Sequence, residues 1–322
     1  MTATRGRLTR LAINLLPVVV IGAIVVSATT RRSEARVVYI LFPGSVRFFD
    51  VERSAMEDEA ASRGISLVFE NANWDAAAQL SQVASAVEAE ADLVALAAVD
   101  TTVAAGAPAV IASSDRPRTP LVTFTNSVSA EPHGVPGVTA HVGRDGELAG
   151  RLLADQIKAI AGGPTTVLSI EGAPETEPQI LRHRGLAEGL ADDPSFQIVD
   201  RIAVAGWRVD LLEPALLTAL AKQTPDVIAT QWADAAVLVS AYLRTHGYLQ
   251  TKVVALEWTQ ALVDEMSHGL IASSTKFSVG TEGRRTIQTV DRILRGEPTP
   301  AFVEIDQTVI RSSDRLGTPT DW

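Results

Sequence analysis

The sequence predicts an α/β fold with two parallel sheets, each covered by helices on both faces. Three observations lead there. A chain of 322 residues is long enough for two domains, at roughly 100–200 residues per domain. From residue 37 onward, short apolar runs bounded by turn residues alternate with amphipathic helical stretches, the pattern of parallel strands joined by crossover helices. Eleven strand candidates are more than one ordinary open sheet holds, so they divide into two.

The strand candidates in the first part are Val37–Phe42, Ser66–Glu70, Leu93–Ala98, Leu121–Phe124 and Val138–Val142. Those in the second part are Thr166–Ile170, Gln197–Val204, Val227–Thr230, Val253–Glu257, Ile271–Thr275 and Val303–Ile305. Between them, Val51–Arg63 reads as a helix with Met56, Ala60 and Ala61 inward and Glu57, Asp58 and Glu59 outward. Asp75–Ala89 begins on a good N-cap, Asp75, and puts Leu80, Val83, Ala84 and Val87 on one stripe. The segments 146–160, 180–190, 211–222, 233–246 and 281–294 follow the same rule. The sequence HGVPG at 133–137 interrupts the pattern and marks a boundary near Gly134–Thr139.

Composition excludes several function classes. With 46% hydrophobic, 20% charged and 5% aromatic residues the chain is globular rather than disordered. Its net charge of −10 makes it a poor binder of nucleic acid, which needs clustered Lys and Arg. The absence of cysteine excludes disulfides, thiolate metal sites, thiol nucleophiles and a lipid-anchoring cysteine. Residues 1–36 read as an export segment: Arg5, Arg7 and Arg10, an uncharged apolar run from Leu11 to Thr30, then Arg31 and Arg32. It is either a signal peptide cut after Ala28 or an uncleaved inner-membrane anchor through residues 11–30. Both put the remainder on the periplasmic side.

No nucleotide-binding glycine motif, zinc-protease motif or nucleophile elbow occurs, and His133, His141, His183, His246 and His268 lack metal-ligand spacing. The sequence therefore implies no metal and no cofactor. What remains is a group of residues at the C-terminal ends of strands, where ligands bind in open α/β sheets. Phe48 and Phe49 follow the first strand beside Arg47, Asp100 follows the third and Asn126 the fourth. In the second half the same positions hold Glu171, Trp207, Trp232, Glu257 and Trp258. Aromatic faces there suit the C–H face of a sugar or a planar ring.

The segment 37–73, with Phe48-Phe49 and the run from Ala60 to Gly64, resembles the opening of type I periplasmic substrate-binding proteins of the ribose/galactose-binding group. TPLVTFTNS at 119–127, HVGRDGELAGRLLADQI at 141–157 and RRTIQTVDRILRGEPTP at 284–300 resemble later segments of that family in order and spacing. LRHRGLAEGL at 181–190 resembles the helix that carries its ligand-binding arginine, here Arg182. AVAGWRVDLL resembles the segment with a cleft aromatic, Trp207, and VVALEW the strand with a cleft carboxylate, Glu257. The resemblance implies two Rossmann-like lobes, 37–139 with 278–306 and 140–277 with 307–322, joined by crossings near 125–141, 276–279 and 305–308.

That family's fold implies capture of a small polar, carbohydrate-like ligand between the lobes and delivery to the permease subunits of an ABC importer. A second reading is a periplasmic sensor whose closed form engages a sensor kinase or chemoreceptor. A hydrolase built on Asp100, Glu171 or Glu257 is disfavoured because no nucleophile–base pair is visible. A transcription regulator is disfavoured because no helix-turn-helix precedes residue 37. The polar pairs that family uses on monosaccharides are Thr125-Asn126 and Trp232-Ala233 here, so the expected ligand is bulkier or less hydroxylated than ribose.

Overall fold

The protein was analysed as a computed structural model, which describes residues 36–314 and 319. β1 (Arg36–Phe42) leads into α1 (Arg47–Arg63), which stops where Gly64 takes a left-handed φ of 65° and returns its N–H to the carbonyls of Ala60 and Ala61. β2 (Ile65–Asn71), α2 (Ala76–Glu88), β3 (Leu93–Leu96), α3 (Ala107–Ala112), β4 (Leu121–Phe124) and β5 (Ala140–Gly143) follow. Asp75 caps α2 as its sequence suggested, accepting from the amides of Ala77 and Ala78. The chain then passes through α4 (Gly146–Ile160), β6 (Thr165–Glu171), α5 (Glu177–Ala191), β7 (Phe196–Ala203), α6 (Leu212–Lys222) and β8 (Val227–Thr230). After these come α7 (Ala233–Thr245), β9 (Lys252–Ala255), α8 (Gln260–Met266), β10 (Ile271–Lys276), α9 (Val279–Leu294), β11 (Phe302–Glu304) and β12 (Thr308–Arg311).

The strands form two six-stranded sheets, ordered β11-β5-β4-β3-β1-β2 and β12-β10-β9-β8-β6-β7. All pairings are parallel except β12 against β10. β1 lies between β2 and β3, with Val38 opposite both Leu67 and Leu93. β6 lies likewise between β7 and β8. At those two places the strand order reverses, and the loops leaving the strands part to open a crevice. Each sheet buries an apolar core on both faces, around Met56 and Val83 in one and around Trp258 and Leu153 in the other. The near-continuous apolar runs seen in the sequence are those doubly covered strands.

Several expectations are corrected. α1 starts at Arg47 rather than at residue 51, so Phe48 and Phe49 lie in its first turn and not in a loop. Ala61 faces solvent, whereas Glu52 on the same helix is fully buried. β5 belongs to the first sheet: it pairs with β4 and β11, and the turns at 133–137 lead into it. The chain leaves that sheet only after Gly143. α3, α8 and the edge strand β12 carried no periodic signal, being short and partly polar. Residues 1–35, which hold all but the last residue of the expected export segment, lie outside the described residues. Among the described residues no helix is long and apolar enough to cross a membrane.

One close approach matters for the site. α4 and α5 touch backbone to backbone: a Cβ on Gly185 would overlap the carbonyl oxygen of Glu147, and one on Gly150 would overlap that of Arg182. These two glycines let α5 sink against α4 and carry Arg182 into the interior. Gly185→Ala should therefore lower stability by about 1–3 kcal/mol through overpacking, read as a lower denaturation midpoint. An unchanged midpoint would mean that α4 and α5 can separate freely.

Candidate functional site

A cavity of about 80 Å³ lies at the C-terminal ends of the parallel strands of both sheets. A space of that size suits one small ring rather than an oligosaccharide. From the first-sheet side it is walled by Val46, Arg47, Phe48 and Phe49 at the start of α1, by Thr125 and Asn126 after β4, and by Arg144 after β5. From the second it is walled by Pro178 and Arg182 on α5, Trp207 after β7, Trp232 and Asp234 after β8, and Glu257 after β9.

Seven of the residues expected from sequence thus come together: Phe48, Phe49, Asn126, Arg182, Trp207, Trp232 and Glu257. Asp100 does not. Its carboxylate accepts from the amides of Thr102 and Ala104 and shapes the turn after β3, which is what a short acidic side chain does at a helix start. Trp258 is fully buried in the core behind the site. Glu171 is buried and its oxygens are committed: they accept from Ser169, Gln179 and Arg201, with the His183 ring at 2.9 Å. Burial pushes its carboxyl up, but the Arg201 hydrogen bonds and the His183 charge outweigh that and hold it below the usual range. A carboxylate so saturated cannot act as a general base. Arg144 went unnoticed in the sequence, because an arginine following a glycine at a strand end carries no periodicity and no motif of its own.

The aromatic walls are edge-to-face pairs. Phe48 and Phe49 have ring centroids 5.5 Å apart at 81°, and Trp207 and Trp232 are 5.5 Å apart at 83°. Trp207 fits because Gly172, at the end of β6, leaves the space that its six-membered ring fills. Cations lie against these faces: the Arg182 guanidinium is 5.4 Å from the Trp207 ring, and that of Arg144 is 4.1 Å from Phe277 and 5.3 Å from Phe48. Arg182 donates from Nη1 to the Gln231 carbonyl at 2.6 Å.

Around the two arginines lie four buried glutamates. Glu257 is 3.9 Å from Arg144 and accepts from the Ala233 amide at 3.3 Å. Glu282 on α9 is 3.4 Å from Arg144 Nε, and Glu52 on α1 accepts from the Thr125 hydroxyl at 2.8 Å. Burial raises Glu52 and Glu282, Glu52 further through the neighbouring Glu282 charge, while Arg144 draws both back down. Burial raises Glu257 to about 7 against the pull of Arg182 and Arg144, and Glu177 to about 8 against that of Arg182. Arg182 is itself lowered to about 10, by burial and then by Arg144. The rims of the two halves also meet: the Thr101 amide and hydroxyl both donate to the Glu175 carbonyl, at 2.9 and 3.0 Å. Among the described residues no cluster of His, Asp or Glu could hold a metal ion.

Glu177 gives a pH dependence whose sign follows directly. In the folded chain it keeps its proton up to about 8, whereas an ordinary glutamate loses it near 4.5. Between those values the unfolded chain binds fewer protons than the folded one, so stability is full below about 4.5 and falls as pH rises to about 8. Glu177 by itself lowers the Tm over this window, against the opposite contribution of the buried His141, which is lowered to about 3, so Glu177→Gln, which cannot titrate, should make the slope of Tm with pH more positive. A variant with the wild-type slope would show that Glu177 does not contribute to it.

The family model described as a periplasmic binding protein domain matches residues 37–298. No curated protein matches the sequence. Solved structures do. A Caulobacter myo-inositol binding protein bound to myo-inositol superposes with a TM-score of 0.77 at 23% identity, over 87% of this chain and 95% of that one. An ABC transporter solute binding protein from Bacillus halodurans with bound myo-inositol gives 0.77 at 19% identity, over 88% and 96%. The fructose binding periplasmic domain of a hybrid two-component system gives 0.76 at 16% identity, over 85% and 90%. At these identities the likeness is one of fold.

Proposed function

Because the chain belongs to the periplasmic binding protein domain family, we propose that it is an extracytoplasmic solute-binding protein that captures one small polar, sugar- or polyol-like ligand between its lobes and delivers it to the permease subunits of an ABC importer. The observation that carries this reading is the small cavity between the strand ends of two sheets, with aromatic faces on both sides and two buried guanidiniums. Solved neighbours bound to myo-inositol support the ligand class.

We assign β1 to β5, α1 to α3, α9 and β11 to one lobe, and α4 to α8, β6 to β10 and β12 to the other. The crossings between them follow β5, β10 and β11. A ligand seated on Phe48, Phe49, Asn126, Trp207, Trp232 and Glu257 touches both lobes, so its contacts favour the closed arrangement over an open one. Arg182 donates to the ligand's oxygens, Glu257 and Asn126 accept from its hydroxyls, and the aromatic rings cover its C–H faces. The function is capture without chemistry, as the family of binding proteins to which the chain belongs implies.

A sensor role is the second reading, favoured by the neighbour from a two-component system. The N-terminus of the mature protein separates the two. A start near Thr29 supports a free carrier, and an intact Met1 supports a tethered sensor.

Binding is testable by calorimetry against sugars and polyols. Arg182→Ala should weaken the best ligand by about tenfold or more, as a hydrogen bond to a charged group contributes about 1.5–3 kcal/mol. Unchanged affinity would remove Arg182 from the site. Ligand should also change the tryptophan emission through Trp207 and Trp232. If Trp207→Phe and Trp232→Phe each leave that signal intact, those rings do not line the binding site.

A further inference from the structure

We propose that the ligand carries a carboxylate, as a sugar acid or another polyhydroxy acid does, and that Arg144 together with Arg182 grips it. This rests on the reading of the cavity as the ligand site and adds the chemical class of the ligand. The Arg144 side chain is only 5% exposed, lines the cavity, and makes no hydrogen bond to the described residues. Its Nε is buried without an acceptor: Glu282 approaches to 3.4 Å in poor alignment, and Glu257 stands at 3.9 Å. The guanidinium plane is held by Phe277 and Phe48 rather than by oxygen atoms. Arg182 is similar. One of its donors reaches the Gln231 carbonyl, while its Nε is buried without an acceptor.

Buried donors left unpaired are costly, so the cavity calls for a ligand rich in acceptors. A carboxylate offers about four acceptor sites in a plane that matches a guanidinium fork, whereas each sugar hydroxyl brings a proton that needs an acceptor of its own. On the protein side, carboxylates and amides lining the cavity are few: Glu257, Asn126 and, at the rim, Asp234. Facing them are the buried Arg144 and Arg182, while the exposed Arg47 stands at the rim with Asp234. Burial raises Glu257 to about 7, so its carboxyl is only partly ionised at pH 7, and it is the buried acid that lines the cavity against the two buried guanidiniums. The aromatic walls then serve the C–H groups of the remaining polyol chain or ring.

The experiment is calorimetric titration of the full chain at pH 7 with matched pairs: glucose against glucuronate and gluconate, and galactose against galacturonate. Glucose 6-phosphate and myo-inositol complete the panel. The expected result is at least one acid bound about tenfold or more tighter than its neutral parent. Arg144→Lys keeps the charge and removes the fork, and should reduce that preference, with its fold checked by circular dichroism. The wild-type ratio of acid to neutral decides the matter even if the variant misfolds. Binding of a neutral sugar or myo-inositol as tightly as any acid overturns the carboxylate and leaves the solute-binding reading intact. Tighter binding of the phosphate also overturns it. No binding by any member of the panel counts against both.

Discussion

Two buried guanidiniums set the terms for the rest of this molecule. Removing an ion from water costs several kcal/mol even after the surroundings relax, so Arg144 and Arg182 can stay inside only with acidic neighbours. Those neighbours come from four separate places: Glu52 on α1, Glu177 on α5, Glu257 after β9 and Glu282 on α9. No local stretch of chain brings them together. They meet only when both sheets are formed, α9 has returned to pack on α1, and α5 has sunk against α4. The same requirement explains why burial dominates the titration of these acids. They outnumber the arginines, and their charges are crowded into a space without water, so the cheapest state keeps some of them protonated.

The aromatic residues follow from that cluster. A guanidinium without enough oxygen partners is stabilised by a ring face, and each buried arginine of the cavity has one: Phe277 and Phe48 for Arg144, Trp207 for Arg182. Phe277 lies at the crossing between β10 and α9, so the chain that passes between the sheets also supports the cation they share. The cavity is in this way a charged centre with apolar sides. A ligand with polar oxygens at one end and C–H groups along its length meets both, and an apolar molecule of the same size would strand the arginines.

The alternation of strand and helix was legible because both faces of each sheet are covered. Central strands such as β3 (LVAL) and β8 (VIAT) are then mostly apolar runs, and the helices over them need an apolar stripe. What failed to show was whatever lacks a period. β12 is a half-exposed edge strand, and α8 is seven residues long. Glu52 sits on a helix beside acidic residues that do face water, and only the tertiary contact with Thr125 explains its burial. Position after a strand end puts the aromatics, Asn126 and Glu257 in the cavity lining. Asp100 stands outside that lining, because an aspartate at such a place can close its own turn as readily as it meets a ligand. Arg144 was invisible since its role depends on Phe277 and Glu282, both more than a hundred residues away.

Of the seven non-glycine residues with positive φ among the described residues, three line the cavity. These are Thr125, Trp207 and Glu257, at 55°, 56° and 79°. Such conformations cost bulky residues on the order of 1–3 kcal/mol each and persist only where neighbours impose them. Here the neighbours are identifiable. The Thr125 hydroxyl is held by Glu52, Trp207 is seated on Gly172, and Glu257 is fixed by Ser274 donating to its carbonyl and by Thr275 accepting from its amide. Each strained residue turns the chain out of the strand direction as it leaves β4, β7 or β9, and so aims a side chain into the crevice. A fold that needed only its two sheets would relax these positions. Their retention at three separate strand ends, converging on one cavity, means that the directions of these side chains are what the strain maintains.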